Sequence, residues 1–234
     1  LNGDNVTGLS SKALQPYRRQ MQMIFQDPFA SLDPRRTVGY AVSEPLLVHG
    51  LERKGDKLRQ IVGDLFERVG LQRSHFDNFP HQFSGGQRQR VCIARALTLK
   101  PKLVIADESV SALDASVQAQ VINLMMELQA DLAVSFLFIS HDMAVVERVS
   151  HHVAVMYQGR IVEIGPRAAV FGDPRHPYTK ALMRAVPIAD PSRRTFEDDL
   201  DFKPIPSPIH PLTFAAQPSQ YEEITPEHKV LHIS

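Results

Sequence analysis

The sequence predicts an α/β protein with a parallel sheet, a helical subdomain and a proline-rich C-terminal extension, and three observations carry that prediction. From 84 to 165, apolar runs of strand length alternate with longer amphipathic stretches, the pattern of strands joined by crossover helices. Between 37 and 82, Leu58, Ile61, Val62, Leu65, Phe66 and Val69 recur at the three-and-four spacing of a helix face. Most of the 17 prolines lie beyond residue 165, and KPIPSPIHP at 203–211 suits neither a helix nor a central strand.

Taken in order, the chain opens on a turn at 1–4 and a short polar helix capped by Ser10 or Ser11. An apolar strand at 21–25 stops at Gln26-Asp27-Pro28, and Pro28 and Pro34 hold open the loop that follows. The residues at 37–82 read as a small helical insert; with the next helix they make a helical subdomain over about 37–99. Then come a helix at 86–99, a strand at 103–107, a helix at 115–130, a strand at 134–140 and a helix at 142–149. A hairpin turns at Gln158-Gly159. These elements define one domain over 1–165 and an appendage over 166–234. The appendage keeps Phe171, Tyr178, Leu182, Phe202, Phe214 and Tyr221, enough apolar surface to expect packing in place of free disorder.

Composition narrows the classes of function. With 26 basic against 26 acidic residues, no net charge draws the chain to nucleic acid or an anionic membrane, so no nucleic-acid partner is expected. The single cysteine, Cys92, excludes an internal disulfide framework and reads as a small core residue. No apolar run approaches the roughly 18 to 20 residues of a membrane-spanning helix. His228 and His232 share one helical face by spacing, but no further ligands are evident. Met125 and Met126 extend the apolar face of Val117, Val121, Leu124 and Leu128 and are expected to pack.

The chemistry gathers at strand ends. A buried strand in a parallel sheet delivers its last side chains to the crevice at the carboxyl edge, where α/β proteins bind ligands. LVIADE at 103–108 brings Asp107 and Glu108 there. Adjacent carboxylates on a strand point apart, so Asp107 can hold a hydrated magnesium ion while Glu108 polarises an attacking water; an isolated Asp-Glu pair can equally just end a strand. Ser84, Gly85, Gly86 and Gln87 open the following helix with a favoured cap, small residues and the positive end of a helix dipole, which suits a phosphate and also suits an ordinary capped loop. Asp114 caps the helix after the acids. His141 ends the strand FLFIS at the same edge, and the amide of Gln26, closing MQMIFQ, can touch magnesium or water. Arg88, Arg90 and Arg95 read as a solvated or acid-paired face.

With these residues in hand, the chain resembles the ATPases of ABC transporters. FQDP at 25–28, FSGGQRQR at 83–90, LVIADE at 103–108, SALD at 111–114 and ISHD at 139–142 look like the Q-loop, signature, Walker B, D-loop and H-loop in family order. HPYTKAL at 176–182, after GPRAAVFGDPR, resembles the C-terminal extension of bacterial oligopeptide and dipeptide importers. The resemblance implies a P-loop NTPase fold, with ATP and magnesium as cofactors and ATP hydrolysis driving peptide uptake (oligopeptide, dipeptide or glutathione).

It also implies roles and partners. Two such domains would close head to tail, Ser84, Gly85, Gly86, Gln87 and Asp114 serving nucleotide across the interface. Glu108, His141 and Gln26 would carry the hydrolysis, with Asp107 and Gln26 at the magnesium. Transmembrane permease subunits would dock on the helical subdomain, a periplasmic or extracellular substrate-binding protein would complete the complex, and the chain would lie peripherally on the cytoplasmic face of the bacterial inner membrane.

The sequence departs from the family in places. No Gly-x-x-x-x-Gly-Lys-Ser/Thr loop occurs in it, and Leu1 reads as a truncation point. These 234 residues alone are therefore expected to bind Mg-ATP very weakly, to leave it unhydrolysed, and to self-associate through a raw sheet edge. Ser109-Val110 stands where the family usually has Pro-Thr, and the tail lacks the cysteines with which some relatives build an iron-sulfur centre. Two other readings stay open. One is a non-catalytic fragment that docks on membrane subunits or a partner ATPase; the other is a soluble ABC-type ATPase acting on nucleic acid, which should show coiled-coil or zinc-binding insertions.

Overall fold

Strands β1 (Met21–Ile24), β2 (Leu103–Asp107) and β3 (Ser135–Ile139) form a parallel sheet in that order, with Met23, Ile105 and Leu137 in register. The computed structural model describes residues 1, 3–185 and 219–232. One side of this sheet is the core: Ile24, Val104 and Ala106 are buried with Val91, Ile93 and Leu97 of α4 (Gly85–Leu97) and Val121, Met125 and Leu128 of α5 (Ala115–Leu132). The other side is open, Leu137 and Ile139 being 52% and 44% exposed.

The first compact unit, Leu1–Asp142, begins with α1 (Ser11–Gln20), whose N-cap is Ser10: its Oγ accepts the N–H of Ala13 at 3.3 Å. The insert comprises α2 (Val38–Val48), α3 (Asp56–Arg68) and short 3-10 turns at Arg73–Asp77 and Pro80–Gln82. Its face of Leu58, Val62 and Phe66 is buried against α2 and α4, as the helical spacing predicts. Gly39 on α2 lets the turn at Arg73–Asp77 come close, since a Cβ there would sit 2.5 Å from Phe76. On α5, Met125 is buried but Met126 is 40% exposed, so the expectation that both pack fails for Met126: it lies one position off the buried stripe.

The second compact unit, Met143–Ser234, holds α6 (Met143–Val149) and the predicted hairpin of β4 (His152–Tyr157) and β5 (Arg160–Pro166), antiparallel about Gln158-Gly159. Both turn residues are left-handed, at φ 47° and 77°, as a two-residue hairpin turn requires. Helices α7 (Arg167–Gly172) and α8 (Pro177–Arg184) follow; Phe171, Tyr178 and Leu182 pack on a core of Val153, Val155, Val162 and Val170. A second hairpin, β6 (Tyr221–Thr225) and β7 (His228–Leu231), extends the sheet to the order β4-β5-β7-β6. KPIPSPIHP, Phe202 and Phe214 lie outside the described residues.

Candidate functional site

At the carboxyl edge of the parallel sheet, three side chains predicted from sequence meet. Gln26, just past β1, donates through Nε2 to Glu108 Oε2 at 2.7 Å. His141, just past β3, places Nδ1 3.3 Å from the other carboxylate oxygen, Oε1. Glu108 is thus flanked from both neighbouring strands. Its backbone is left-handed, at φ 43°, a conformation that costs a non-glycine residue energy and is retained where the surroundings over-determine it. Here they do: its N–H donates to Ile139 O at 2.9 Å, and its carbonyl accepts from the hydroxyl and N–H of Ser111 at 2.9 and 3.1 Å. Nothing in the sequence pattern signals this kink. Asp107 ends β2 opposite Ile139, half-buried. The donor set at this edge comprises a carboxylate on the strand, a second carboxylate pulled off it, an amide and an imidazole. It fits a hydrated magnesium ion and a water to be activated.

Ser84, Gly85, Gly86 and Gln87 form a separate element at the start of α4. Ser84 Oγ accepts from Gln87 N at 3.3 Å while Gln87 Oε1 accepts from Ser84 N at 3.0 Å, a reciprocal capping box. The box shapes the loop and leaves Ser84 exposed at the positive end of a 13-residue helix. Gly86 has a packing reason: a Cβ on it would lie 2.3 Å from Val117 Cγ1 on α5. Asp114 caps α5 by accepting from Val117 N at 3.0 Å and Ser116 Oγ at 2.7 Å; these bonds, the Val117 N–H foremost, hold its carboxyl below the usual range.

The arginines of α4 correct the expectation of a solvated or acid-paired face. All are half-buried and donate to main-chain carbonyls: Arg88 Nε to Pro80 O at 2.7 Å, Arg90 Nη1 to Val69 O at 2.7 Å and Arg95 Nη1 to Ser31 O at 2.5 Å. Arg88 and Arg90 reach carbonyls of the insert, and Arg95 reaches the turn that precedes it. Cys92 between them is buried, and burial pushes its thiol up to about 11.

Sequence reading also missed a polar cluster in the second unit. The carboxylate of Glu163, wholly buried on β5, accepts from the backbone N–H groups of Arg175 and His176 at 2.9 Å each. His228 Nε2 lies 2.8 Å from it, so His228 faces a carboxylate. Burial would raise the Glu163 carboxyl; the His176 and Arg175 N–H groups with His228 outweigh it and hold it low. His176 is itself buried, and burial lowers its pKa. A buried glutamate within an apolar strand, with a histidine two residues past a Thr-Pro turn, was the available signal.

Parallel strands carrying this edge, with a helical insert and a capped glycine loop, make up the fold of an ABC-type ATPase. Residues 1–111 match the family model described as ABC transporter, and 162–211 match that of the oligopeptide/dipeptide transporter C-terminal region. Among curated proteins it is 57% identical to the glutathione import ATP-binding protein GsiA of Pectobacterium atrosepticum over 99% of this chain and 37% of that protein. It is 61% identical to GsiA of Salmonella paratyphi A over 89% of this chain and 33% of that protein. The chain thus spans about a third of the length of these relatives.

Among solved structures, it matches cbiO1 of Clostridium perfringens, part of the ABC transporter complex cbiONQ, with TM-score 0.63 and 28% identity. That match covers 75% of this chain and 68% of the other. The ATP-binding cassette MJ0796, a dimer in a post-hydrolysis state with ADP and Pi, matches in fold with TM-score 0.61 and 24% identity over 71% of this chain and 72% of the other.

Proposed function

We propose that this chain contributes the hydrolytic edge and signature loop of an ATPase that powers import of peptides, glutathione among them, through an ABC transporter. The observation that carries the reading is the Gln26–Glu108–His141 arrangement, in which one carboxylate is held by an amide and an imidazole at the carboxyl edge. In this reading Glu108 accepts the proton of the attacking water, His141 and Gln26 hold that carboxylate and the reacting phosphate in line, and Asp107 holds magnesium. Bound magnesium supplies charge neutralisation at the phosphates. Ser84, Gly85, Gly86 and Gln87, with Asp114 beside them, face nucleotide carried by a second ATPase domain, whose post-hydrolysis dimer has a counterpart in the matched cassette.

Within the 234 residues no P-loop is present to cradle the β- and γ-phosphates, so these residues alone are inactive. The helical subdomain takes the permease subunits: Val48 and Leu51 on the insert are 75% and 40% exposed, apolar surface suited to a partner. Membrane attachment is then peripheral, on the cytoplasmic face, with a substrate-binding protein on the far side. Among the described residues no helix is long and apolar enough to cross a membrane. The domain division we favour is an ATPase portion to residue 165 and an importer-type extension beyond it.

Uptake of labelled glutathione, a dipeptide and an oligopeptide by cells with and without the intact gene tests this reading. Loss of one or more peptides, with amino-acid uptake unchanged, is expected. Unchanged uptake of all three would leave the docking-fragment reading in its place.

A further inference from the structure

The turn at 26–31 is braced from within and gripped from outside. Asp27 fixes it: its Oδ1 accepts from Phe29 N at 2.7 Å, and its carbonyl accepts from Ser31 N at 3.1 Å and Ser31 Oγ at 2.6 Å. Pro28 and Leu32 bury their side chains on either side of the tip. At one end Gln26 holds Glu108. At the other, the turn is attached to α4: Arg95 Nη1 donates to Ser31 O at 2.5 Å, and the Arg88 guanidinium lies 3.9 Å from the centroid of the Phe29 ring. Arg88 and Arg95 are seven residues apart, two turns on one helix face, so they leave the helix about 10 Å apart along its axis and reach two different residues of one turn, Phe29 and Ser31. Two attachments at that separation fix orientation as well as position. Arg88 directly follows the capping box of Ser84 and Gln87, so a tilt of α4 carries the signature loop with it.

We propose that Arg88 and Arg95 are positioning residues that make the 26–31 turn and α4 move as one body, so that the placement of Gln26 against Glu108 sets the placement of the 84–87 loop. The inference rests on the ATPase reading for its meaning but on geometry for its substance. A guanidinium suits both points better than an ammonium. Arg95 reaches a carbonyl as a charged donor, and Arg88 combines a donor to Pro80 with a face stacked on Phe29, which lysine reproduces only in part.

Amide hydrogen exchange on the intact protein tests this, comparing wild type with Arg95→Met, Arg88→Met, Arg95→Lys and Glu108→Gln. Either Met variant is expected to raise exchange roughly tenfold in both 27–32 and 85–88, the worth of one charged hydrogen bond, with β2 amides unchanged. Arg95→Lys should recover part of the protection in both segments together. Loosening of 27–32 with 85–88 unmoved would overturn the proposal, as would equal loosening of the whole first unit, which marks a merely structural role. Glu108→Gln separates the two readings: its turnover reports whether the ATPase assignment holds, while the exchange comparison stands whether or not ATP is hydrolysed.

Discussion

Gln26 Nε2 and Glu108 Oε2 meet at 2.7 Å across 82 residues of sequence, joining the ends of two neighbouring parallel strands. The bond holds the carboxylate in one orientation while the opposite oxygen faces His141. Because Gln26 is exposed, losing it should cost little stability, about 1 kcal/mol. The Gln26→Ala variant of the intact ATPase is therefore expected to keep its melting temperature within a few degrees while kcat falls about tenfold, measured by phosphate release.

Gly86 and Val117 are in contact that no side chain can enter. Gly86→Ala sets a methyl 2.3 Å from Val117 Cγ1, on a β-branched residue with one preferred rotamer, so α4 and α5 must separate. We expect a loss of about 1–3 kcal/mol in denaturant unfolding. Val117→Ala in the same chain should restore most of it; no restoration would place the strain elsewhere.

Acid should weaken the second unit before it reaches the first. Glu163 has a lowered pKa in the folded chain, so its stabilisation is present above the ordinary carboxylate range and is lost as pH falls through the folded value. His176 is also lowered, by burial: below its ordinary value near 6.5 the unfolded chain takes a proton that the folded chain refuses, so stability falls there too. Both signs agree, and the carboxylate is also faced by the His176 and Arg175 N–H groups, Thr179 and His228. Melting curves between pH 8 and pH 4 should show a progressive loss of stability. Glu163→Gln should lower stability by about 3 kcal/mol at pH 8 and flatten the lower end of the profile.

The 234 residues lack a P-loop, which supplies the backbone amides and lysine that cradle phosphates. Calorimetric titration of this chain with Mg-ATP should show no binding in the micromolar range. A micromolar dissociation constant with turnover would mean that another segment provides the cradle.

Much of this was legible in the sequence because its signals were local. Strand ends at Gln26, Glu108 and His141 follow from apolar runs that stop at polar residues, and parallel topology brings such ends together. The Ser84 and Asp114 caps were legible for the same reason. What escaped depended on tertiary partners. Arg88, Arg90 and Arg95 find carbonyls rather than water or acids because main-chain oxygens of three other segments, at Pro80, Val69 and Ser31, face α4. Pairing of Glu163 with His228 requires β7 to return beside β5, a long-range pairing with no periodic signature. The left-handed backbone of Glu108 is set by Ile139 and Ser111, not by its own side-chain type.

Glu108→Gln in the intact ATPase tests the central assignment most directly. Swapping the carboxylate for an amide keeps the shape and removes the proposed base. Single-turnover phosphate release is expected to fall at least about 100-fold, with ATP affinity within about twofold of wild type. Turnover within a few fold of wild type would contradict that assignment.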